Sequence, residues 1–267
     1  MPTVAVLGST GNTGSCLVRN LLDHSPQNKV NAYCRNKAKL LRVIPEVADN
    51  KRVEVFEGSI EDGPLLDSLL RGTKAVFLAV TSNDNIPGCS LNTDTATSVI
   101  RSLYRLRDEA GAAGKTYTPP KIILLAAGCP DDHIARNMSK LFRPIMLRAA
   151  SQIYADLARA EAVLRSHDHW VQSVYIKPAG LSMDVARGHK LTLDEEESFL
   201  SYNDLANAMI ETAIDDDAGL WVAKNVGVVN KVKGVGAKFP TGTPLLIASG
   251  FLRHLFPFLH PYLPSVS

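Results

Sequence analysis

Cysteine is scarce. The 267 residues contain four, Cys16, Cys34, Cys89 and Cys129, and no two of them form a CxxC pair. That excludes a disulfide framework and a zinc ribbon, and it favours a reducing compartment, so a cytoplasmic location is expected. An excess of one charge is lacking too: Lys plus Arg is 29, Asp plus Glu is 27, and the formal net charge is +2. Nothing there builds a concentrated basic face, so nucleic acid is not an expected partner. The opening MPTVAVLGSTG has no basic stretch followed by an apolar one, so no secretory leader is visible. No long uninterrupted hydrophobic run exists. The most apolar tract, Leu245 to Leu263, is broken by Arg253, His254, Pro257, His260 and Pro261, which excludes a spanning helix. The one cluster of His and carboxylate, His167-Asp168-His169, lies in a turn with no third ligand nearby, so no metal site is expected. Repeats and low-complexity tracts are absent. What remains, 45% hydrophobic and 21% charged residues, is the balance of a folded globular chain.

Short β-branched apolar runs alternate with helical patterns through the first two-thirds. Val4–Leu7, Val30–Tyr33, Val53–Phe56, Ala75–Val80, Ile122–Ala126 and Val171–Ile176 read as buried strands. Ala96, Val99, Ile100, Leu103 and Leu106 fall on one helical stripe, and Ile153, Leu157, Ala160 and Leu164 on another. This alternation predicts an α/β fold with a doubly wound parallel sheet covered on both faces. After Pro178 the pattern loosens. Leu191–Leu193 and Val226–Val229 read as short strands, and Ser201 starts a helix over Leu205–Ile214. The chain is expected to be a single domain over 1–267, with 178–267 forming a small C-terminal substrate-pocket or lid region.

The strongest motif is Gly8-Ser9-Thr10-Gly11-Asn12-Thr13-Gly14, set between the first strand and a helix carrying Leu17, Val18, Leu21 and Leu22. A tight strand-to-helix turn needs glycine, and an anion can approach the backbone only where no Cβ intervenes. Gly14 lets the helix lie close to the strand, and the helix N-terminus offers free N–H groups and partial positive charge to a pyrophosphate. Gly8, Thr10, Gly11, Asn12, Thr13 and Gly14 are therefore the candidate cradle of a dinucleotide in a Rossmann-type sheet, with GxxGxxG in place of the commoner GxGxxG. An Asp or Glu normally closes the second strand where the ribose 2′-hydroxyl is free. Here Arg35 and Lys37 follow it instead. A guanidinium forks onto a 2′-phosphate, so NADP(H) is the expected cofactor. Ser59 and Ile60 would border the adenine. Ala79, Val80 and Thr81 would pass along the cofactor.

These features together resemble an atypical short-chain dehydrogenase/reductase of the NmrA-like, NAD(P)H-binding group. They are the strand–GxxGxxG–helix unit, the Arg after strand two, GSIED after strand three and Lys177-Pro178-Ala179-Gly180 after strand six. AYCRNKAKLLR, VFEGSIEDGPLL, AVFLAVTSNDNIPGC, IYADLARAEAVLR and VYIKPAGL further resemble the averufin-oxidase-type proteins of fungal aromatic polyketide pathways. The resemblance implies that Lys177, Pro178 and Gly180 lie beside the nicotinamide, with Lys177 a candidate for the chemistry. It also implies a small aromatic polyketide substrate of anthraquinone or xanthone type.

Many short-chain dehydrogenases move the proton with a tyrosine in YxxxK, where the lysine one turn on lowers the phenol's pKa. Tyr154 is the candidate here, yet Ala158 stands four residues on. Arg159 is about 140° round the helix. The fifth strand ends Ala126-Ala127-Gly128-Cys129, without a hydroxyl. Several readings stay open. Tyr154 acts alone; His133, which titrates near neutrality, handles the proton; a phenolic substrate carries its own acidity; or the cofactor is bound without turnover. The functional alternatives are accordingly an NADP(H)-dependent oxidoreductase, a non-catalytic sensor of the NmrA type and a non-redox isomerase or cyclase. The run Glu195-Glu196-Glu197 reads as a solvated face or a helix start. The apolar tail, rich in Phe251, Phe256, Phe258 and Tyr262, would cover the substrate pocket, form a homodimer face or lie in a membrane interface.

Overall fold

The computed structural model describes residues 2–215, 219–232 and 240–265. The expected C-terminal region 178–267 therefore falls partly outside the described residues, at 216–218, 233–239 and 266–267.

The apolar runs become strands because their alternate residues can bury on both faces of a sheet. In order come β1 (Thr3–Leu7), α1 (Asn12–His24), β2 (Lys29–Cys34), α2 (Lys37–Val43), β3 (Val53–Glu57), α3 (Gly63–Leu70), β4 (Thr73–Leu78), α4 (Leu91–Ala112) and β5 (Lys121–Leu125). They are followed by α5 (Phe142–Ala149), α6 (Ser151–Arg165), β6 (Ser173–Lys177), β7 (Leu181–Ser182), β8 (His189–Thr192), β9 (Leu200–Ser201), α7 (Tyr202–Ile210), β10 (Asn225–Asn230) and α8 (Thr243–Leu255). Among the described residues, eight strands form one sheet in the order β3-β2-β1-β4-β5-β6-β10-β8. All neighbours are parallel except β10 and β8. The doubly wound α/β sheet expected from the sequence is present. Its order reverses between β1 and β4, so a crevice opens beyond their carboxyl ends.

Two apolar layers flank the sheet. Val4 and Val6 face Leu17, Leu21, Leu205 and Met209, whereas Ala5 and Leu7 face Val99, Leu103 and Leu164. The stripes expected on α4 and α6 are buried, apart from Ile153, which is only half-buried. Two strands are displaced from their expected ranges. β4 pairs with β5 only as far as Leu78, while the buried Ala79 still donates to the Leu7 carbonyl at 3.0 Å. Val171 is buried but belongs to the turn before β6, its N–H donating to the His167 carbonyl. Ser201 caps α7, accepting from the Asp204 N–H at 2.9 Å. The helix then widens to a π-turn over Glu211–Asp215 and does not run regularly to Ile214.

One tertiary contact positions α6. Asp156, fully buried, accepts from the backbone N–H groups of Asn92 (2.7 Å) and Thr93 (3.1 Å), and from the Thr93 hydroxyl (2.6 Å). It caps α4 from another helix, because Ser90 makes no cap hydrogen bond of its own. Burial works against the charge, but these donors outweigh it and hold the carboxyl below the usual carboxylate range.

Candidate active site

The turn after β1 is built by contact with β4. Gly8 has φ +91°, and a Cβ there would meet the Ala79 carbonyl oxygen at 2.4 Å. A Cβ on Gly14 would meet the Gly8 carbonyl oxygen at 2.1 Å, so the helix touches the strand with no room between. Gly11 differs from both. It is exposed, and the nearest atom to a Cβ there is the Gly8 oxygen at 3.4 Å. The fold demands glycine at 8 and 14 but leaves the space at 11 open. Gly11 precedes α1 with no side-chain cap and no acid in the first turn, so the α1 N–H groups face that opening. Thr10 is half-buried, Asn12 exposed and Thr13 buried. Uncapped amides beside an open, Cβ-free face fit a pyrophosphate.

Arg35 and Lys37 are exposed just past β2. Asn36 between them caps α2, accepting from the Lys39 N–H at 2.7 Å, while Glu57 accepts from the Lys37 N–H at 2.8 Å. Ser59 is exposed, and Ile60 packs partly buried against the sheet. Ala79 and Val80 run from the end of β4 to Thr81, which opens onto the main cavity.

That cavity, about 550 Å³, lies beyond the carboxyl ends of β4, β5 and β6. Its wall is largely apolar: Leu125, Ala127, Phe142, Met146, Leu157, Pro178, Leu181 and Phe199. Tyr154 and Glu196 supply ionisable groups there, beside Cys129. Behind it lies a charged chamber of about 500 Å³, holding Asp131, His133, Glu161, Arg165 and Lys177. Tyr154 and Leu157 line both spaces.

The structure brings Tyr154, His133 and Lys177 onto one space, the charged chamber, but parts Lys177 from Pro178 and Gly180. Pro178 and Gly180 line the main cavity, but Lys177 lines the charged chamber. Its ammonium lies 2.6 Å from Glu161 and 3.9 Å from Asp131, almost fully buried. The alternation of β6 explains this, because Tyr175 and Lys177 share the face that α6 covers. His133 is also in the charged chamber, its side chain 61% exposed and 3.4 Å from Asp194. Tyr154 reaches the main cavity, where burial, with Cys129 and Glu196 close by, pushes its phenol far above its ordinary value. Burial likewise pushes the neighbouring Cys129 thiol up.

Glu196 was not among the residues expected here, and its run is not the solvated face read from the sequence. Each of the three side chains is engaged or turned inward. Glu195 accepts from the Asn137 amide at 3.1 Å, and Glu197 from the Asn230 N–H at 2.9 Å. Glu196 lines the cavity with its Oε2 buried against Gly128, where a Cβ would lie 2.2 Å from that oxygen. Among the described residues nothing hydrogen-bonds that oxygen. Burial raises the carboxyl to about 7, with the Arg143 cation opposing and Asp131 adding to the rise. Three adjacent glutamates carry no periodic signal that would have singled out the middle one.

The tail also departs from expectation. α8 docks beside α5, with the Asn85 amide donating to the Gly250 carbonyl at 3.1 Å and Ser151 hydrogen-bonded to His254 at 2.8 Å. Arg253, 1% exposed, pairs with Asp84 at 3.6 Å. Among the described residues of this segment, only Thr243 reaches the main cavity. Phe251, Phe256, Phe258 and Tyr262 do not line it, and Phe258 and Tyr262 are largely exposed. The latch to Asp84 and Asn85 fixes the segment at the cavity's flank, so its aromatics do not fold over β6. Among the described residues, no helix is long and apolar enough to cross a membrane.

A family profile described as NAD(P)H-binding matches residues 8–216. Oxidoreductase GME11367 of Pestalotiopsis microspora is 56% identical over 99% of this chain and 98% of its own length. Oxidoreductase dmxR7 of Cryptosporiopsis is 58% identical over 88% of this chain and 96% of its own. Oxidoreductase tpcG of Aspergillus fumigatus is 49% identical over 98% of this chain and 95% of its own. Among solved structures, a short-chain dehydrogenase/reductase from Veillonella parvula in complex with NADP superposes with a TM-score of 0.66. It is 18% identical, over 90% of this chain and 99% of that one, and at that identity it speaks for the fold alone.

Proposed function

The chain belongs to the NAD(P)H-binding family as an atypical short-chain dehydrogenase/reductase of NmrA-like type and is an NAD(P)-dependent oxidoreductase; from that premise we propose that it uses NADP(H) on a flat polycyclic aromatic substrate of anthraquinone or xanthone type. The observation that carries the substrate class is the cavity of about 550 Å³ at the strand ends, walled mainly by aliphatic and aromatic side chains, with polar groups such as Asn137, Ser139, Tyr154 and Glu196 set among them. Such a wall takes up a planar, weakly solvated ring system and leaves its orientation to a small number of hydrogen bonds. Arg35 supports the cofactor choice, since it stands where an acid would favour a free 2′-hydroxyl.

Gly8, Gly11 and Gly14 would hold the pyrophosphate against the α1 amides, with Thr10, Asn12 and Thr13 around it. Arg35 and Lys37 would take the 2′-phosphate, and Ser59 and Ile60 would border the adenine. Ala79, Val80 and Thr81 would lead the cofactor toward Pro178 and Gly180. When bound, the nicotinamide supplies or accepts the hydride. The apolar wall keeps water from the reacting carbon, and the residues around Tyr154 orient the substrate oxygens.

Nicotinamide absorbance followed with 1,8-dihydroxyanthraquinone and the purified full chain tests this reading. The expected result is a change in absorbance matched by loss of the quinone. Product without that change marks an isomerase, and cofactor binding without product marks a sensor; either result overturns the proposal.

A further inference from the structure

We propose that Glu196 is the group that exchanges the proton with the substrate oxygen. This rests on the oxidoreductase reading of the main cavity. Hydride delivery to a carbon conjugated with a carbonyl leaves an electron pair on oxygen, and that oxygen needs a proton. The groups expected to provide it are committed elsewhere. The Lys177 ammonium is held 2.6 Å from Glu161 in the neighbouring chamber. His133 opens to solvent beside Asp194 in that same chamber. Burial, with the Cys129 and Glu196 groups beside it, holds the proton on the Tyr154 oxygen. Thr81, Ser139 and Asn137 reach the cavity but do not titrate in the working range.

Glu196 meets each requirement. Glu196 lines the cavity, and its Oε2, buried against Gly128, has no hydrogen-bond partner among the described residues. It occupies space that exists only because residue 128 is glycine, since a Cβ there would lie 2.2 Å from Oε2. An unpartnered buried oxygen is costly to keep unless something arrives to use it. Four groups face it: Cys129 and Asp131 from the segment after β5, Arg143 from α5 and Tyr154 from α6. Burial outweighs Arg143, and Asp131 adds to the rise, so the carboxyl titrates at about 7 and can either give or take a proton near neutrality.

The step balances as follows. In the reducing direction a hydride, with its electron pair, forms the new C–H bond on the ring carbon as NADPH becomes NADP⁺. The carbonyl π pair moves onto oxygen. The Glu196 O–H bond breaks, and its proton makes the hydroxyl. Glu196 is left as carboxylate and regains a proton from water. The oxidising direction runs through the same bonds in reverse.

The test uses the NADP⁺-loaded full chain for infrared titration of carboxyl groups, and NADPH with 1,8-dihydroxyanthraquinone for rates. The wild-type chain is expected to show a carboxyl band titrating near pH 7 that Glu196→Gln lacks. Glu196→Gln should lower kcat by roughly 10²–10⁴-fold with little change in KM and without the neutral-pH inflection, and Glu196→Asp should recover part of the rate. Gly128→Ala, which keeps the carboxyl but displaces it, should lower kcat in the same sense. A Glu196→Gln chain with the wild-type rate and pH profile overturns the proposal. So does a band near pH 7 that survives the substitution. If the band belongs to Glu196 but neither protein oxidises NADPH, the quinone substrate and the transfer step fall, while the titrating carboxyl stands.

Discussion

Two substitutions three residues apart in the glycine turn should fail in opposite ways. Gly14→Ala puts a Cβ 2.1 Å from the Gly8 carbonyl oxygen, a backbone atom fixed by β1. Helix α1 must move off the strand, and overpacking of this kind costs about 1–3 kcal/mol, which lowers the melting temperature by several degrees. Gly11→Val has no such obstacle: its Cβ comes no closer than 3.4 Å to any atom outside its chain neighbours. Gly11 has φ −82° and ψ 167°, an extended conformation valine adopts readily, so only the cap preference is lost, about 1 kcal/mol. The isopropyl group would instead fill the open face over the α1 amides. Two charge-assisted hydrogen bonds to phosphate, at about 1.5–3 kcal/mol each, would be lost, weakening NADPH by roughly 10²–10⁴-fold. Thermal unfolding by circular dichroism and calorimetric titration with NADPH separate the two effects. Gly11→Val protein that melts normally and binds NADPH with wild-type affinity would refute the placement of the pyrophosphate.

Arg35→Ala should weaken NADPH by about 10–100-fold, the worth of one hydrogen bond to a charged group, and leave NADH nearly unchanged; equal loss in parallel titrations would remove the 2′-phosphate role. Asp156→Ala strands the Asn92 and Thr93 amides inside the protein, at about 1–3 kcal/mol each. Because the folded-state pKa of Asp156 is depressed, its stabilisation is present above the unfolded value of about 3.9 and is lost as pH falls through the folded one. Urea unfolding should therefore show a gap between wild type and variant at pH 7 that narrows in acid, and a constant gap would contradict this. Arg253→Ala removes one member of the buried pair with Asp84, whose carboxylate keeps the Ser265 hydroxyl at 2.7 Å. Losing one member of such a pair costs about 3–5 kcal/mol. Limited proteolysis should then cut α8 faster, with recovery in the Asp84→Asn, Arg253→Met double variant; unchanged resistance of the single variant would show that this pair does not fasten the segment.

Elements set by neighbours in sequence could be read directly. The strands announced themselves by β-branched runs, Ser201 by its place before an apolar helical stripe, and the glycine turn by spacing that a tight βα corner requires. The parallel sheet followed from strand–helix alternation, since each crossover needs a helix to cover the face it crosses. Strand ends were less legible. Whether Ala79 stays in the β4–β5 pairing depends on how far β5 extends beside it, which the β4 sequence does not encode.

The sequence by itself determined a doubly wound sheet with a glycine turn at its first corner, because backbone dihedrals, glycine spacing and hydrophobic period are local properties. Only the tertiary structure decided which ionisable groups share a chamber. Lys177 was drawn to Glu161 by the alternation of β6 against α6, the aromatic tail was held aside by the Arg253–Asp84 pair, and Glu196 was buried in the cavity wall against Gly128. Each of these depends on packing between segments far apart in the chain, where the direction of a side chain and its loss of water are fixed together.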